Sequence, residues 1–166
     1  MKIAILGGGH GAYAAAADLS EAGHEVRLWR RDAAALAPVV QAGSITLKDA
    51  DGSRDVKIAL ATADIGAALR DAELIVIPTP AIAQEDIARA MAPHLRSGQV
   101  VFLPPGTFGS FVMARIVREQ ASRAEVAWAE TGTLPYLARK LGTREVRVTI
   151  RAVRLPTGVY PARRAE

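Results

Sequence analysis

Short apolar runs alternate with stretches of helical periodicity along most of this chain. Predicted strands cover residues 2–6, 25–30, 73–77, 99–103 and 125–129. Predicted helices cover about 11–22, 33–42, 81–95 and 110–122, with a short helix that starts at Asp64. Strands that alternate with helices favour a parallel sheet covered on both faces. The pattern therefore predicts an α/β fold with a doubly wound, mainly parallel sheet.

Two strand-like segments interrupt this alternation. Ser44–Leu47 and Val56–Leu60 read as short strands, and the residues between them, Asp49–Ser53, have the chemistry of a hairpin turn. They predict a small β-insert. Residues 145–153 alternate apolar and polar side chains, which indicates a strand with one face exposed to water.

The remaining segments lack strong periodicity. Residues 130–136 predict a turn that enters a short helix, and no periodic pattern follows Arg154. We expect one domain over residues 1–153. Residues 154–166 then form a tail or the start of a missing C-terminal domain.

A glycine-rich turn joins the first strand to the first helix. Strand, turn and helix in this order, with the spacing G-x-G-x-x-A, indicate a Rossmann-like dinucleotide site. Gly7 allows a sharp turn, Gly9 leaves space for a pyrophosphate, and Ala12 lets the helix pack closely. The helix N-terminus then faces the phosphates, with the His10 side chain expected over them. The candidates are Gly7, Gly8, Gly9, His10, Gly11 and Ala12. A glycine-rich turn that binds nothing is the alternative.

The end of the second strand bears on the choice between the two nicotinamide cofactors. Arg30 and Arg31 stand there, and arginine can hold a ribose 2′-phosphate with paired N–H donors. This favours NADP(H). In the NAD(H) alternative, Asp32 accepts hydrogen bonds from the ribose hydroxyls. A third interpretation leaves both arginines as solvated surface residues.

Two further strand ends are rich in proline and should lie on the cofactor side of the sheet. The first supplies Pro78 and Thr79 as candidates, and the second supplies Pro105 and Gly106. In the alternative interpretation these prolines merely end the strands. Glu130 follows a third strand at the same edge, and a role as general base is the least favoured of these assignments.

The amino-acid composition excludes or disfavours several classes of function. The 166 residues include no cysteine, which excludes disulfides and thiolate chemistry, and the three histidines lack metal-ligand spacing. The net charge of +4 is concentrated after residue 138, with eight Lys or Arg and two Asp or Glu, but no aromatic interleaving supports nucleic-acid binding. No apolar run is long enough for a membrane span, so we expect a cytoplasmic protein. No catalytic acid–base set is evident.

Several of these segments resemble known dehydrogenases. Residues 1–32 resemble the N-terminal domain shared by glycerol-3-phosphate and opine dehydrogenases. Pro105-Gly106, Ala129-Glu130-Thr131, Thr133–Tyr136 and Arg139 resemble the octopine/nopaline (opine) dehydrogenase family. A glycerol-3-phosphate dehydrogenase is expected to carry a lysine after the fifth strand, and a ketopantoate reductase one after the fourth. This chain has prolines at both places.

The resemblance implies an NAD(P)H-dependent reduction of the imine formed between an amino acid and a 2-oxo acid. In this family a second, mostly helical domain supplies the catalytic histidine, and this chain ends near the expected junction. We therefore expect an NAD(P)-binding domain that is inactive alone. The alternatives are an enzyme completed by a partner chain or by a second copy, a glycerol-3-phosphate dehydrogenase-like domain, and a non-catalytic nucleotide-binding module.

Overall fold

Eleven strands are seen in a computed structural model, which describes residues 1–120 and 122–164. They are β1 (Lys2–Leu6), β2 (Glu25–Trp29), β3 (Ser44–Asp49), β4 (Gly52–Lys57), β5 (Leu60–Thr62), β6 (Leu74–Val76), β7 (Val100–Leu103), β8 (Ala127–Thr131), β9 (Tyr136–Lys140), β10 (Glu145–Arg151) and β11 (Thr157–Tyr160). Seven of them form the main sheet, in the order β11-β8-β7-β6-β1-β2-β5. All are parallel except β11, which runs antiparallel to β8. The predicted Rossmann-like α/β fold is confirmed.

Five α-helices lie in the described residues. They are α1 (His10–Glu21), α2 (Ala33–Ala42), α3 (Ile65–Leu69), α4 (Gln84–Met91) and α5 (Gly109–Glu119). The predicted helix over 81–95 is three segments, because 3₁₀ turns at Ala81–Ala83 and Ala92–His94 flank α4. The predicted end of the helix over 110–122 includes residue 121, which lies outside the described residues. None of the helices in 1–120 and 122–164 has both the length and the apolar character that a bilayer crossing requires.

The expected β-insert is part of a second sheet, with the order β4-β3-β10-β9. The predicted strand over 56–60 is wrong as a unit, because β4 ends at Lys57 and β5 pairs with β2 in the main sheet. The predicted short helix at residue 136 is also wrong, since β9 is found there instead. Ala138 is the only fully apolar side chain that β9 buries, while Leu137 is exposed, so the strand has little periodic signal.

Helix α1 lies between the two sheets. It contacts β1 and β2 on one side and β3, β4, β9 and β10 on the other. Seven consecutive residues, Gly11–Ala17, are buried as a result. A helix that packs on one sheet buries only a stripe, so burial all round indicates packing on both sides. Small side chains allow both sheets to approach closely, which explains the alanine-rich sequence.

A buried carboxylate in the second sheet organises an ion-pair network with α1. The side chain of Asp49 is 1% exposed, and its two oxygens bind Arg54 Nη1 and Arg151 Nη2, each at 2.8 Å. Hydrogen bonds from Arg54 and then Arg151 hold the pKa of Asp49 well below its usual range. Arg54 also binds Glu21, and Arg151 binds Asp18 at 2.6 Å, so the network joins the sheet to α1.

We expect Asp49→Asn to lower the free energy of unfolding by about 1–3 kcal/mol at pH 7, because two arginines lose a charged acceptor. A depressed pKa contributes stability that is complete above the unfolded pKa and declines as pH falls. The difference between the two proteins should therefore shrink below about pH 4. Urea denaturation at several pH values measures it, and Asp51→Asn in the adjacent exposed turn is the control.

Candidate dinucleotide-binding site

A cleft opens at the carboxyl ends of β1, β2 and β6. The chain winds from β1 outward through β2 and β5, then returns to β6 on the other side of β1. Ligands of open α/β sheets bind at such a reversal of strand order. The cleft holds a cavity of about 370 Å³. Seven of the twelve candidates line it: Gly7, Gly8, Gly9, Arg30, Arg31, Pro78 and Thr79.

The glycine turn has the geometry that a pyrophosphate requires. Gly7 has a φ of +147°, and a Cβ there would lie 2.9 Å from Thr79 Cγ2. A Cβ on Gly9 would meet none of the described residues within 4 Å, so open space lies in front of this residue. No side chain in the described ranges caps α1. The first N–H groups of the helix are therefore available to an anion.

Thr79 adds a polar group to the wall of the cleft. The residue is 8% exposed, and its Oγ1 is buried without a hydrogen-bond partner in 1–120 and 122–164. A buried hydroxyl normally has a partner, and Thr79 lines the cavity, so a polar group of a bound ligand would satisfy it. Together with the space at Gly9, this residue fits a dinucleotide. The glycine turn would hold its pyrophosphate.

The residues after β2 differ in what they contact. The Arg30 side chain crosses Gly8, since a Cβ on that glycine would lie 2.5 Å from Arg30 Cδ, and its Nη1 donates to the Ala35 carbonyl at 3.2 Å. Arg31 forms an exposed ion pair of 3.1 Å with Asp86 across the cleft. Asp32 Oδ1 caps α2 by accepting from the Ala35 N–H at 3.0 Å. The carboxylate needed for the NAD(H) alternative is thus engaged in a helix cap.

Three candidates in the first turn lie outside the cavity lining. His10 is exposed, and its Nδ1 accepts a hydrogen bond from the main-chain N–H of Lys140 at 3.0 Å, so its ring faces β9 rather than lying over the phosphate position. Gly11 is buried, and a Cβ there would lie 2.7 Å from Leu134 Cδ1 and 3.2 Å from Pro78 Cβ. Ala12 is also buried. These two residues set how closely α1 packs.

Pro105 and Gly106 lie at the same sheet edge but outside the cavity lining. They belong to the loop before α5, and the carboxylate of Glu130 holds this loop. Its two oxygens accept from the Phe108 and Ser110 N–H groups, each at 2.9 Å, and a Cβ on Gly106 would overlap the Glu130 side chain. Glu130 therefore caps a helix, which opposes its assignment as a general base. In 1–120 and 122–164, no three His, Asp or Glu side chains converge as a metal site requires.

One basic side chain at the glycine turn was missed by sequence reasoning. Lys140 Nζ lies 3.5 Å from the ring centroid of Tyr13 and donates to the Gly8 carbonyl at 3.4 Å. Burial, and then the charge of Arg30, lowers the pKa of this amine to about 8. Lys140 ends β9, the strand that the pattern failed to predict, so nothing in the sequence connected it with the glycine turn 130 residues earlier.

The fold and the cleft define a Rossmann-type dinucleotide-binding domain. Residues 2–127 match the family described as the NAD-dependent glycerol-3-phosphate dehydrogenase N-terminus. Because this match covers more than half of the chain, the chain belongs to that family. It is an NAD(P)-binding domain of the oxidoreductase type, as predicted.

Curated relatives include both kinds of dehydrogenase. The chain is 32% identical over 151 residues to an opine dehydrogenase of Arthrobacter sp. (strain 1C), a match that covers 91% of this chain and 42% of the relative. It is 36% identical over 107 residues to a glycerol-3-phosphate dehydrogenase [NAD(P)+] of Nitratidesulfovibrio vulgaris (strain DP4), covering 61% of this chain and 30% of the relative. The chain thus spans less than half the length of each.

Solved structures of opine dehydrogenases are also similar to this chain. Octopine dehydrogenase in complex with NADH and agmatine superimposes with a TM-score of 0.82 at 26% identity, covering 96% of this chain and 42% of that chain. Yersinopine dehydrogenase with NADP+ bound has a TM-score of 0.75 at 15% identity, which shows a shared fold. The predicted resemblance to the N-terminal domain of opine dehydrogenases is confirmed.

Proposed function

We propose that this chain is the NAD(P)-binding domain of an opine-dehydrogenase-like oxidoreductase, which reduces the imine of an amino acid and a 2-oxo acid. The extent of the similarity carries this proposal. A match over 151 of 166 residues must include β9 and β10, whereas the match to the family of the glycerol-3-phosphate dehydrogenase N-terminus ends at residue 127, before both strands. The prolines at the ends of β6 and β7, in place of the lysines expected in other relatives, support the same choice.

In this proposal the cofactor supplies hydride when it is bound, and the chain holds and orients it. The glycine turn and the N-terminus of α1 bind the pyrophosphate, and Thr79 offers its hydroxyl to the ligand. The catalytic groups belong to a further domain or to a partner chain. Exposed apolar residues in the segments that follow β6 and β7 support such a covering surface: Ile82 is 93% exposed and Phe108 80%.

The proposed imine reduction is tested on the protein as it occurs in the cell, with whatever further domain or partner it carries. The loss of NADPH absorbance reports the reaction. We expect oxidation with pyruvate and a suitable amino acid together, and none with either alone. Oxidation with dihydroxyacetone phosphate alone would instead establish glycerol-3-phosphate dehydrogenase chemistry. Cofactor binding without turnover in an amino-acid and 2-oxo-acid screen would leave the nucleotide-binding module as the function.

A second copy of the chain is one partner that could cover the exposed apolar edge. Sedimentation velocity over a range of protein concentrations tests for it. A sedimentation coefficient that rises with concentration, and loses this dependence in Phe108→Ser, supports a homodimer. A concentration-independent monomer excludes it and leaves a further domain or a different chain.

Within this function we propose a preference for NADP(H). Arg30 crosses the glycine turn at the end of β2 and has no carboxylate within ion-pair distance in 1–120 and 122–164. Arg31 is already paired with Asp86. Arg30 is therefore the better placed of the two to meet a 2′-phosphate.

We expect Arg30→Ala to weaken NADPH binding by about tenfold or more, the value of a charge-assisted hydrogen bond, and NADH binding by about twofold or less. Arg31→Ala should have a smaller effect, because its exposed charge is screened and paired. Isothermal titration calorimetry measures both. Equal losses for the two cofactors would contradict 2′-phosphate recognition, and Arg147→Ala on the outer face of the second sheet is the matched control.

A further inference from the structure

We infer that Lys140 of β9 is a second binding residue for the cofactor's 2′-phosphate, so that selectivity for NADP(H) is set in part by the second sheet. This inference rests on the NADP(H) preference proposed above. It assigns a new residue to that site, from an element that the dinucleotide motif does not include.

Two cations flank the same glycine. The stem of Arg30 lies across Gly8, and Lys140 Nζ donates to the Gly8 carbonyl at 3.4 Å. The ring of Tyr13, whose centroid is 3.5 Å from Nζ, holds the amine there by a cation–π contact. The register of the second sheet and the bond from the Lys140 N–H to His10 Nδ1 fix the main chain of this residue.

Neither cation is neutralised by the protein. Among the residues that the structure describes, no carboxylate lies within 4.0 Å of Lys140 Nζ or of the Arg30 guanidinium, and both donate to neutral carbonyls. Arg31 and Arg54, by contrast, have acidic partners. Burial first, and the like charge of Arg30 second, make the charged amine unfavourable here and lower the pKa of Lys140. A phosphate dianion between them would remove the penalty.

The position of the pair favours the 2′-phosphate over the pyrophosphate. In this fold, the residue that binds the 2′-hydroxyl or 2′-phosphate of the ribose lies at the end of the second strand. Arg30 lies there. The pyrophosphate takes the open space at Gly9, in front of α1. Lys140 lies against Gly8 and Tyr13, close enough to Arg30 for the two charges to interact.

The test compares cofactors and cofactor fragments on matched variants. Lys140→Met keeps most of the aliphatic stem and removes the charge. We expect it to weaken NADPH and adenosine 2′,5′-bisphosphate by about tenfold, and NADH and 5′-AMP by about twofold or less. Lys140→Arg should recover most of the NADPH affinity. Arg147→Met, which also removes one positive charge but from the outer face of the same sheet, should leave the affinity for every one of these ligands unchanged.

The outcomes separate this inference from the function on which it rests. Equal losses of NADPH and NADH in Lys140→Met would overturn it and assign the amine to the pyrophosphate, while a selective loss in Arg30→Ala would still support NADP(H) preference. If Arg30→Ala also lacks selectivity, the preference itself fails. Should Lys140→Met unfold, as thermal denaturation would show, Lys140→Gln is compared in its place.

A pH series gives an independent readout on the unmodified protein. Because the pKa of Lys140 is about 8, the ratio of NADPH to NADH affinity should fall as pH rises from 7 to 9, and Lys140→Met should abolish this slope. Three groups face the amine. They are Arg30, Tyr13 and His10: burial raises the pKa of Tyr13, so its hydroxyl stays neutral over this range, and His10 bonds the main-chain N–H of Lys140 rather than its amine. A flat ratio in the unmodified protein would count against the inference.

Discussion

Gly9→Val is expected to abolish dinucleotide binding and leave the fold intact. Gly9 precedes α1 with an extended backbone that valine adopts readily, and a Cβ there meets none of the described atoms within 4 Å. The added side chain would stand in the open space that the pyrophosphate needs. The phosphates would then lose both that space and the N–H groups at the helix end. We expect a loss of affinity of roughly a hundredfold or more, which corresponds to about 3 kcal/mol.

Calorimetric titration with NADPH measures the loss, and thermal denaturation without cofactor measures the fold. Gly142→Val is the matched control, because Gly142 also faces open space and lies outside the cleft. Gly7→Val is a useful contrast. Its φ is +147° and its Cβ would lie only 2.9 Å from Thr79, so that change should damage the fold together with binding. Unchanged NADPH affinity in Gly9→Val would show that the phosphates bind elsewhere.

The sequence predicted the parts of this site that depend on neighbouring residues. The glycine turn follows from one strand, one helix and the spacing between them. The caps at Asp32 and Asp64 are predictable for the same reason, since a side chain there reaches an N–H two or three residues ahead. Gly43 ends α2 in the left-handed conformation, which a glycine directly after an apolar helical pattern makes predictable.

The parts that were missed depend on contacts between distant residues. Strand β11 pairs with β8 as an exposed edge and has no apolar alternation to mark it. Strand β9 buries little, so Lys140 could not be placed near Gly8. His10 and Glu130 were placed at the correct edge, but their partners, Lys140 and the N-terminus of α5, come from other elements. The local sequence pattern predicts helices and strands, whereas the hydrogen-bond partner of a side chain depends on which elements pack together.

The position of α1 between two sheets leads to the second large effect. Ala16 is completely buried, and it has a sheet nearby whichever way its side chain points. Ala16→Leu adds three carbon atoms to a layer that has β1 and β2 on one side and the second sheet on the other. Overpacking of this kind costs about 1–3 kcal/mol, and with both sides closed we expect the upper part of that range. The melting temperature should fall by roughly 5–10 °C.

Ala34→Leu is the matched control, since Ala34 is exposed on α2 and the same change there should alter stability by about 0.5 kcal/mol or less. Urea denaturation measures both variants. A loss in Ala16→Leu no larger than in the control would mean that the second sheet can move away from α1 at little cost. Because β9 carries Lys140 to the glycine turn, such a sheet could not hold the amine in place for a phosphate. The stability of Ala16→Leu and the NADPH selectivity of Lys140→Met thus both test how firmly the second sheet packs on α1.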